Sequence, residues 1–297
     1  MKIRFIVIFI LLLLTSGASA QQKEKPNFTP ASVKSVTLRT GVKLQYVEQG
    51  DTTGTPIILL HGYTDSWRSF ELALPHLPKT VHALALSQRG HGDSGHPASG
   101  YRPSDFSADV AAFMDALKLN RAVIVGHSMG SQVALRFVLD HPERASGLLL
   151  VGAFKTVRGH AGVKELWDTT ISKMVDPIDS EFVREFQKST LHKPIPAAFL
   201  DAAVQESAKV PARVWRSALA GLMETDFSSE FTRIKLPTLI VWGDQDLFCS
   251  RKDQDFLATT IKGAKLLIYS GTGHAPHWEE SERFAADLTS FVGKLTH

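Results

Sequence analysis

Ala122-Val123-Ile124-Val125-Gly126-His127-Ser128-Met129-Gly130 is the stretch on which the reading of this chain turns. Four apolar residues run directly into a G-x-S-x-G pentapeptide, and the run at 133–139 that follows has helical character. A serine on so sharp a strand-to-helix turn needs glycine on both sides, because a Cβ at either position would collide with neighbouring backbone. A tight turn carrying a solvated serine would read the same way in isolation. The rest of the chain therefore decides what the serine is for.

Working outward, short β-branched or Leu-rich runs at 57–60, 81–86, 148–151, 239–242 and 266–269 repeat the pattern of 122–125, and longer segments of helical period separate them. Continuous apolar runs suit strands covered by helices on both faces, so they predict an α/β fold with a mostly parallel, doubly wound sheet. One such helix is announced by Ser104-Asp105, ahead of Phe106, Val110, Phe113, Met114 and Leu117 at spacings of three and four. That stripe reads as sheet-facing core. Upstream, stretches 33–40 and 42–48 flank Gly41 and predict an antiparallel start. Between Phe154 and Lys235 no strand-like run is comparably strong, and helical stretches are punctuated by Pro177, Pro194, Pro196 and Pro211. We expect a helical cap inserted at 155–234, with the α/β core built from 21–154 and 235–297.

The first twenty residues read as an export signal. Met1-Lys2-Ile3-Arg4 is a short basic start, 5–14 is an unbroken apolar run, and Ala18-Ser19-Ala20 is an A-x-A-like cleavage site. Ten apolar residues fall short of the ~20 that span a bilayer, so no stable membrane span is expected once the signal is removed. The expected location is periplasmic or extracellular. Beyond the signal, 31 basic residues face 30 acidic ones. A near-neutral protein without a Lys/Arg run offers no phosphate-binding stripe, which excludes nucleic acid as a partner. Cys249 is the single cysteine, so no intramolecular disulfide can form.

A serine hydroxyl is a weak nucleophile at neutral pH and requires a base, and a histidine base requires a third group to hold its tautomer. Gly271-Thr272-Gly273-His274 follows the last predicted strand in a loop able to reach Ser128. His277 competes with it, but follows Pro276 and approaches the helix that starts near Glu279. For the acid, Gly243-Asp244-Gln245-Asp246 lies at a strand's carboxyl end, where open α/β sheets build sites, and both aspartates are candidates. No carboxylate occurs at 151–162, after the preceding strand. Charge developing on a carbonyl oxygen needs N–H donors. The Gly turn at His61-Gly62-Tyr63 and the elbow itself offer the Tyr63 and Met129 amides for an oxyanion hole. His and Asp show no metal-ligand spacing, and neither a metal nor another cofactor is expected.

In this order the pieces resemble the serine-nucleophile branch of the α/β-hydrolase fold, from about Pro56 to Val292 apart from the cap. The matching residues are His61-Gly62-Tyr63, the R-G-x-G-x-S turn Arg89-Gly90-His91-Gly92-Asp93-Ser94, the elbow Gly126 to Gly130, Gly243 to Asp246, and Gly273-His274. The resemblance places the acid at the end of G-x-x-D, hence at Asp246. It implies that Ser128, His274 and Asp246 act as a triad through an acyl-enzyme. One position departs from the pattern: Ser87 stands where relatives often carry Asp two residues before the Arg, and we read it as structural. A serine nucleophile also sets the chain apart from haloalkane dehalogenases and epoxide hydrolases.

The resemblance implies a carboxylic ester hydrolase for small or medium apolar esters or lactones. Its rivals are a carbon–carbon bond hydrolase, a cofactor-free perhydrolase, and a ligand-binding sensor that keeps the triad. The expected cap carries Trp167, Phe182, Phe186, Phe199, Trp215, Leu219, Leu222 and Met223, enough apolar area to line a pocket. Of the whole chain, His127, Trp167, Trp215 and Met223 are the expected substrate contacts.

Overall fold

Alternate residues of the short apolar runs are buried on opposite sides of one sheet. Ile58, Leu60, Ile124, Leu148, Leu150 and Ile240 join one core cluster, and Ile57, Leu59, Val123, Val125, Leu149 and Val241 join the other. This two-sided burial explains why the runs lack the apolar–polar alternation of a half-exposed strand. The computed structural model describes residues 33–295, and the expected export signal at 1–20 lies outside them.

In chain order the elements are β1 (Val33–Thr37), β2 (Lys43–Gln49), β3 (Pro56–Leu60), β4 (His82–Ser87), α1 (Pro103–Ala116), β5 (Ala122–His127), α2 (Met129–Asp140), β6 (Ala145–Val151), α3 (Ala161–Thr169), α4 (Ser180–Ser189), α5 (Ala197–Ala208), α6 (Ala212–Glu224), β7 (Thr238–Gly243), α7 (Arg251–Thr260), β8 (Lys265–Tyr269), α8 (Pro276–Glu279) and α9 (Ser281–Gly293). The sheet order is β1-β2-β4-β3-β5-β6-β7-β8. β1, β2 and β4 pair antiparallel, and every other neighbour pair is parallel. From β3 the chain first builds outward through β4 and then returns to lay β5 on the opposite side, so the strand order reverses between β3 and β5. Open α/β sheets place their sites at such a reversal, beyond the carboxyl ends of the strands.

Phe106, Val110, Phe113 and Met114 of α1 and Val133 and Phe137 of α2 pack on one face; Trp67, Phe70, Leu74 and the α9 residues Phe284, Leu288 and Val292 pack on the other. α1 begins one residue before the expected Ser104, because the Asp105 carboxylate accepts the Arg102 N–H at 2.9 Å and caps the first turn. β8 departs from the expected two-sided burial. It is the sheet's last strand, and Ile268 is 40% exposed there. Residues 155–234 contain α3 to α6 and short 3-10 turns, with no strand among them. Among the described residues, no helix is long and apolar enough to cross a membrane.

Candidate active site

Ser128 sits between β5 and α2 with φ at 51°, a left-handed conformation that a residue with a Cβ rarely adopts. Its flanking glycines explain why the chain can turn there. A Cβ on Gly126 would lie 2.2 Å from the Gly130 carbonyl oxygen, and one on Gly130 would lie 2.3 Å from that of Leu60. The turn is pinned by the Ser128 N–H, which donates to the Val151 carbonyl at 3.0 Å. Strain of this kind persists only where surrounding structure holds it, and it projects the hydroxyl above the sheet.

His274 arrives from the loop after β8 and places Nε2 2.8 Å from Ser128 Oγ. Its Nδ1 lies 2.8 Å from Asp246 Oδ2. Asp246 is fixed in turn, since its Oδ1 accepts the Phe248 and Cys249 N–H groups at 2.8 and 2.9 Å. The imidazole faces a carboxylate on one side and a hydroxyl on the other, so the carboxylate selects the tautomer with hydrogen on Nδ1 and leaves Nε2 free to accept from serine. The rival acid does a different job: Asp244 accepts the Gly271 N–H at 2.7 Å and the Ser270 hydroxyl at 3.1 Å, fastening the loop that carries His274. His277 is also turned away from Ser128. It is fully buried, its Nε2 lies 3.1 Å from Ser69 Oγ, and burial pushes its pKa down to about 3.

Asp246, Cys249 and His274 also bring ligand-type atoms within 4.8 Å of one another. The donor set fits a metal poorly. Burial, with Asp246 and Asp253 nearby, raises the Cys249 pKa well above its usual value, and the thiol donates to the Gly152 carbonyl at 3.0 Å. Both other ligand atoms are engaged with each other.

These groups open on a cavity of about 110 Å³. Phe154, Val157, Val163, Leu166, Leu219 and Leu222 supply apolar wall, while Asp65, His127, Gln187 and Thr190 supply polar wall. Tyr63 and Met129 line it as well, and Met129 heads α2, where the first N–H groups have no intrahelical partner.

Of the four expected substrate contacts, only His127 lines the cavity; Trp167, Trp215 and Met223 do not. Trp215 is fully buried behind Tyr63, whose hydroxyl donates to the Trp215 carbonyl at 2.6 Å, and it packs edge-to-face on Tyr63 and Phe186. α3 turns Val163 and Leu166 to the cavity and leaves Trp167 to one side; α6 does the same with Leu219 and Leu222 against Met223. Helical period gives the apolar face, but the docking angle decides which residue of that face reaches ligand. Sequence reasoning missed Asp65, Gln187, Thr190, Phe248 and Trp278, all of them lining. None of the five carried a local signal, Asp65 reading as an ordinary turn residue.

Ser87, the departure from the family pattern, is structural in its contacts: its hydroxyl accepts the Trp67 N–H at 3.2 Å, and its carbonyl accepts the Ser94 hydroxyl at 2.6 Å. Arg89 of the adjoining turn makes a buried two-pronged bond to Asp109, 2.6 Å at each prong.

A nucleophile elbow at the sheet's strand reversal, a loop histidine against it and an acid after β7 define a class. The alpha/beta hydrolase fold family matches residues 55–281, and the chain belongs to that family. It is 28% identical over 245 residues to a pimeloyl-[acyl-carrier protein] methyl ester esterase of Neisseria meningitidis, covering 80% of this chain and 92% of that one. It is likewise 28% identical over 279 residues to a non-heme haloperoxidase of Rhodococcus erythropolis, covering 86% and 98%. Among solved structures, an esterase from Exiguobacterium antarcticum superposes with a TM-score of 0.79 at 24% identity, over 87% of this chain and 98% of that one, a likeness of fold.

Proposed function

We propose that this protein is a serine-dependent carboxylic ester hydrolase for small or medium apolar esters or lactones. One observation carries the reading: the unbroken relay from Ser128 Oγ through His274 to Asp246, each step 2.8 Å. In this reading His274 Nε2 takes the serine proton as Oγ attacks the substrate carbonyl, and the imidazolium is stabilised by Asp246. The Tyr63 and Met129 amides receive the oxyanion. Donation of the same proton to the leaving alcohol gives an acyl-enzyme, which water, activated by His274, then cleaves. Residues 155–234 serve as the cap, and a cavity of about 110 Å³ favours short acyl chains over long ones. Export through the signal at 1–20 belongs to the same proposal.

The haloperoxidase likeness favours a second reading, in which peroxide rather than water attacks the same acyl-enzyme. Labelling with a fluorophosphonate followed by peptide mass mapping tests the shared chemistry. The expected result is a mass increase on the peptide containing Ser128 that disappears in His274→Ala. Folded protein that takes no label rejects the mechanism. A panel of nitrophenyl esters, with and without peroxide, then separates the two readings.

A further inference from the structure

Asp65, Gln187 and Thr190 of the polar wall are joined by hydrogen bonds, and the ester reaction leaves them unused. Asp65 Oδ1 accepts the Gln187 side-chain N–H at 2.9 Å, and Gln187 also donates to Ser207 Oγ at 2.8 Å. Asp65 Oδ2 accepts the Ser69 hydroxyl at 3.3 Å. The carboxyl is 6% exposed and faces the cavity that holds Ser128. Burying a carboxyl there without a cation beside it is costly, and desolvation raises its pKa to about 6 even though Gln187 and Ser69 pull the other way.

His127 faces it. The His127 Nε2 is 3.1 Å from the His274 carbonyl, which can only accept, so Nε2 carries the proton and Nδ1 is a bare acceptor. That Nδ1 is buried without a partner, 3.9 Å from Asp65 Oδ2. Burial, with His277 and His274 close by, pushes the His127 pKa well below its usual value, so the ring stays neutral and the two groups form no ion pair. Two acceptors therefore face one another across a distance too long for a shared hydrogen bond. Gly62 packs directly beside both groups: a Cβ there would press to 2.8 Å from His127 Nδ1 and 3.2 Å from Asp65 Oδ2. Gly62 immediately precedes Tyr63, whose amide receives the oxyanion in the proposed mechanism.

We propose that Asp65 Oδ2 and His127 Nδ1 form a recognition subsite for a hydrogen-bond donor, a hydroxyl or an ammonium, on the substrate close to its scissile carbonyl. The inference rests on the ester-hydrolase reading and narrows its substrates to hydroxy- or amino-substituted esters. The apolar wall made by Val163, Leu166, Leu219 and Leu222 takes the remainder of the chain.

The test compares methyl butanoate with methyl butanoates bearing a hydroxyl or an amino group at carbon 2 or 3, in the wild type, Asp65→Asn and Gly62→Ala. The readout is the ratio of kcat/KM for each substituted ester to that of the unsubstituted one, which cancels any general loss of activity in a variant. At least one substituted ester should be preferred by the wild type, and that preference should fall roughly tenfold or more in Asp65→Asn, where the amide turns a donor toward the donor. Gly62→Ala, which presses a methyl group against both acceptors, should lower the same ratio. Preference for the amine alone or the hydroxyl alone identifies which donor is read. Ratios unchanged in both variants overturn the subsite, while turnover of methyl butanoate shows that the hydrolase reading stands regardless. If no ester turns over, titrating the corresponding amides into Ser128→Ala reads the same preference as binding, and equal affinities reject it.

Discussion

The loops at the carboxyl ends of β3, β5, β7 and β8 and the helices between β6 and β7 meet at one cavity, but they are held in different ways. The loops are laced by main-chain bonds: Ser128 to Val151 at 3.0 Å, Asp244 to Tyr269 at 3.1 Å and Gln245 to Thr272 at 3.0 Å. The helices reach the loops at scattered points, through Gln187 on Asp65, the Trp215 carbonyl on the Tyr63 hydroxyl, and the Thr190 carbonyl on the His274 N–H at 2.8 Å. Main-chain lacing fixes where reacting atoms sit, largely independent of side-chain choice. Side-chain contacts set the shape and polarity of what those atoms meet. On the proposed mechanism, the difference assigns chemistry to the loops and selection to the helices.

The largest effect that bears on this division is in the loops. Ser128→Ala or His274→Ala should lower kcat/KM by about 10⁴-fold or more in ester hydrolysis. A cavity-lining substitution on α3 or α6 that cost as much would erase the distinction. Next comes the framework beneath the loops. Asp109→Ala strands the Arg89 guanidinium, 8% exposed at its side chain, and should cost about 3 to 5 kcal/mol in urea unfolding. The rate per folded molecule should hold, because the Asp109 carboxylate is bonded to Thr40 and Arg89, neither of which lines the cavity. A variant of normal stability would show that the bond is not what secures the turn.

The same division explains what could be read from the chain alone. Every strand run between 57 and 269 is a strand, and up to β7 two-sided burial is what leaves an uninterrupted apolar signature in the sequence. The approach of Ser128 and His274, with an acid after β7, was legible too, since strand-end loops inherit their positions from the sheet; that the acid is Asp246 rather than Asp244 came from the family resemblance. The cavity wall was not. Leu166 and Trp167 are neighbours on one amphipathic helix, and only Leu166 faces the cavity. Nothing local distinguishes them; the angle at which α3 meets the core does. Asp65 was hidden for another reason. Its cap-side partner Gln187 lies 122 positions away, and a lone Asp after a Gly turn reads as a solvated turn residue.

Asp65 belongs to a strand-end loop yet serves selection in the proposed subsite, so it tests the division at its boundary. Its pKa rises from 3.8 to about 6 on folding, with His127, His274 and His277 as the titratable side chains near it. A carboxyl whose folded pKa is raised favours the native state below pH 4 and penalises it as pH climbs through 6; the full penalty is about 3 kcal/mol. Asp65→Asn removes that penalty. It should be more stable than the wild type at pH 8 by about 2 to 3 kcal/mol, with the gap closing between pH 6 and pH 4 in urea midpoints. A gap that is flat with pH would show that the carboxyl is not ionised at the expense of the fold.

The smallest effect is the sharpest probe of the helices. Leu166 lines the cavity and Trp167 does not, so truncating each in turn separates ligand contact from general packing. Leu166→Ala removes three carbons from the apolar wall and should shift preference toward longer acyl chains. KM for a short ester should rise about threefold to tenfold with kcat little changed, the signature of lost uniform binding. Trp167→Ala should cost stability through lost packing and leave the chain-length profile where it was. Because both changes fall on one turn of one helix, damage to that helix would move the two profiles together; only direct contact with the acyl chain moves the first alone.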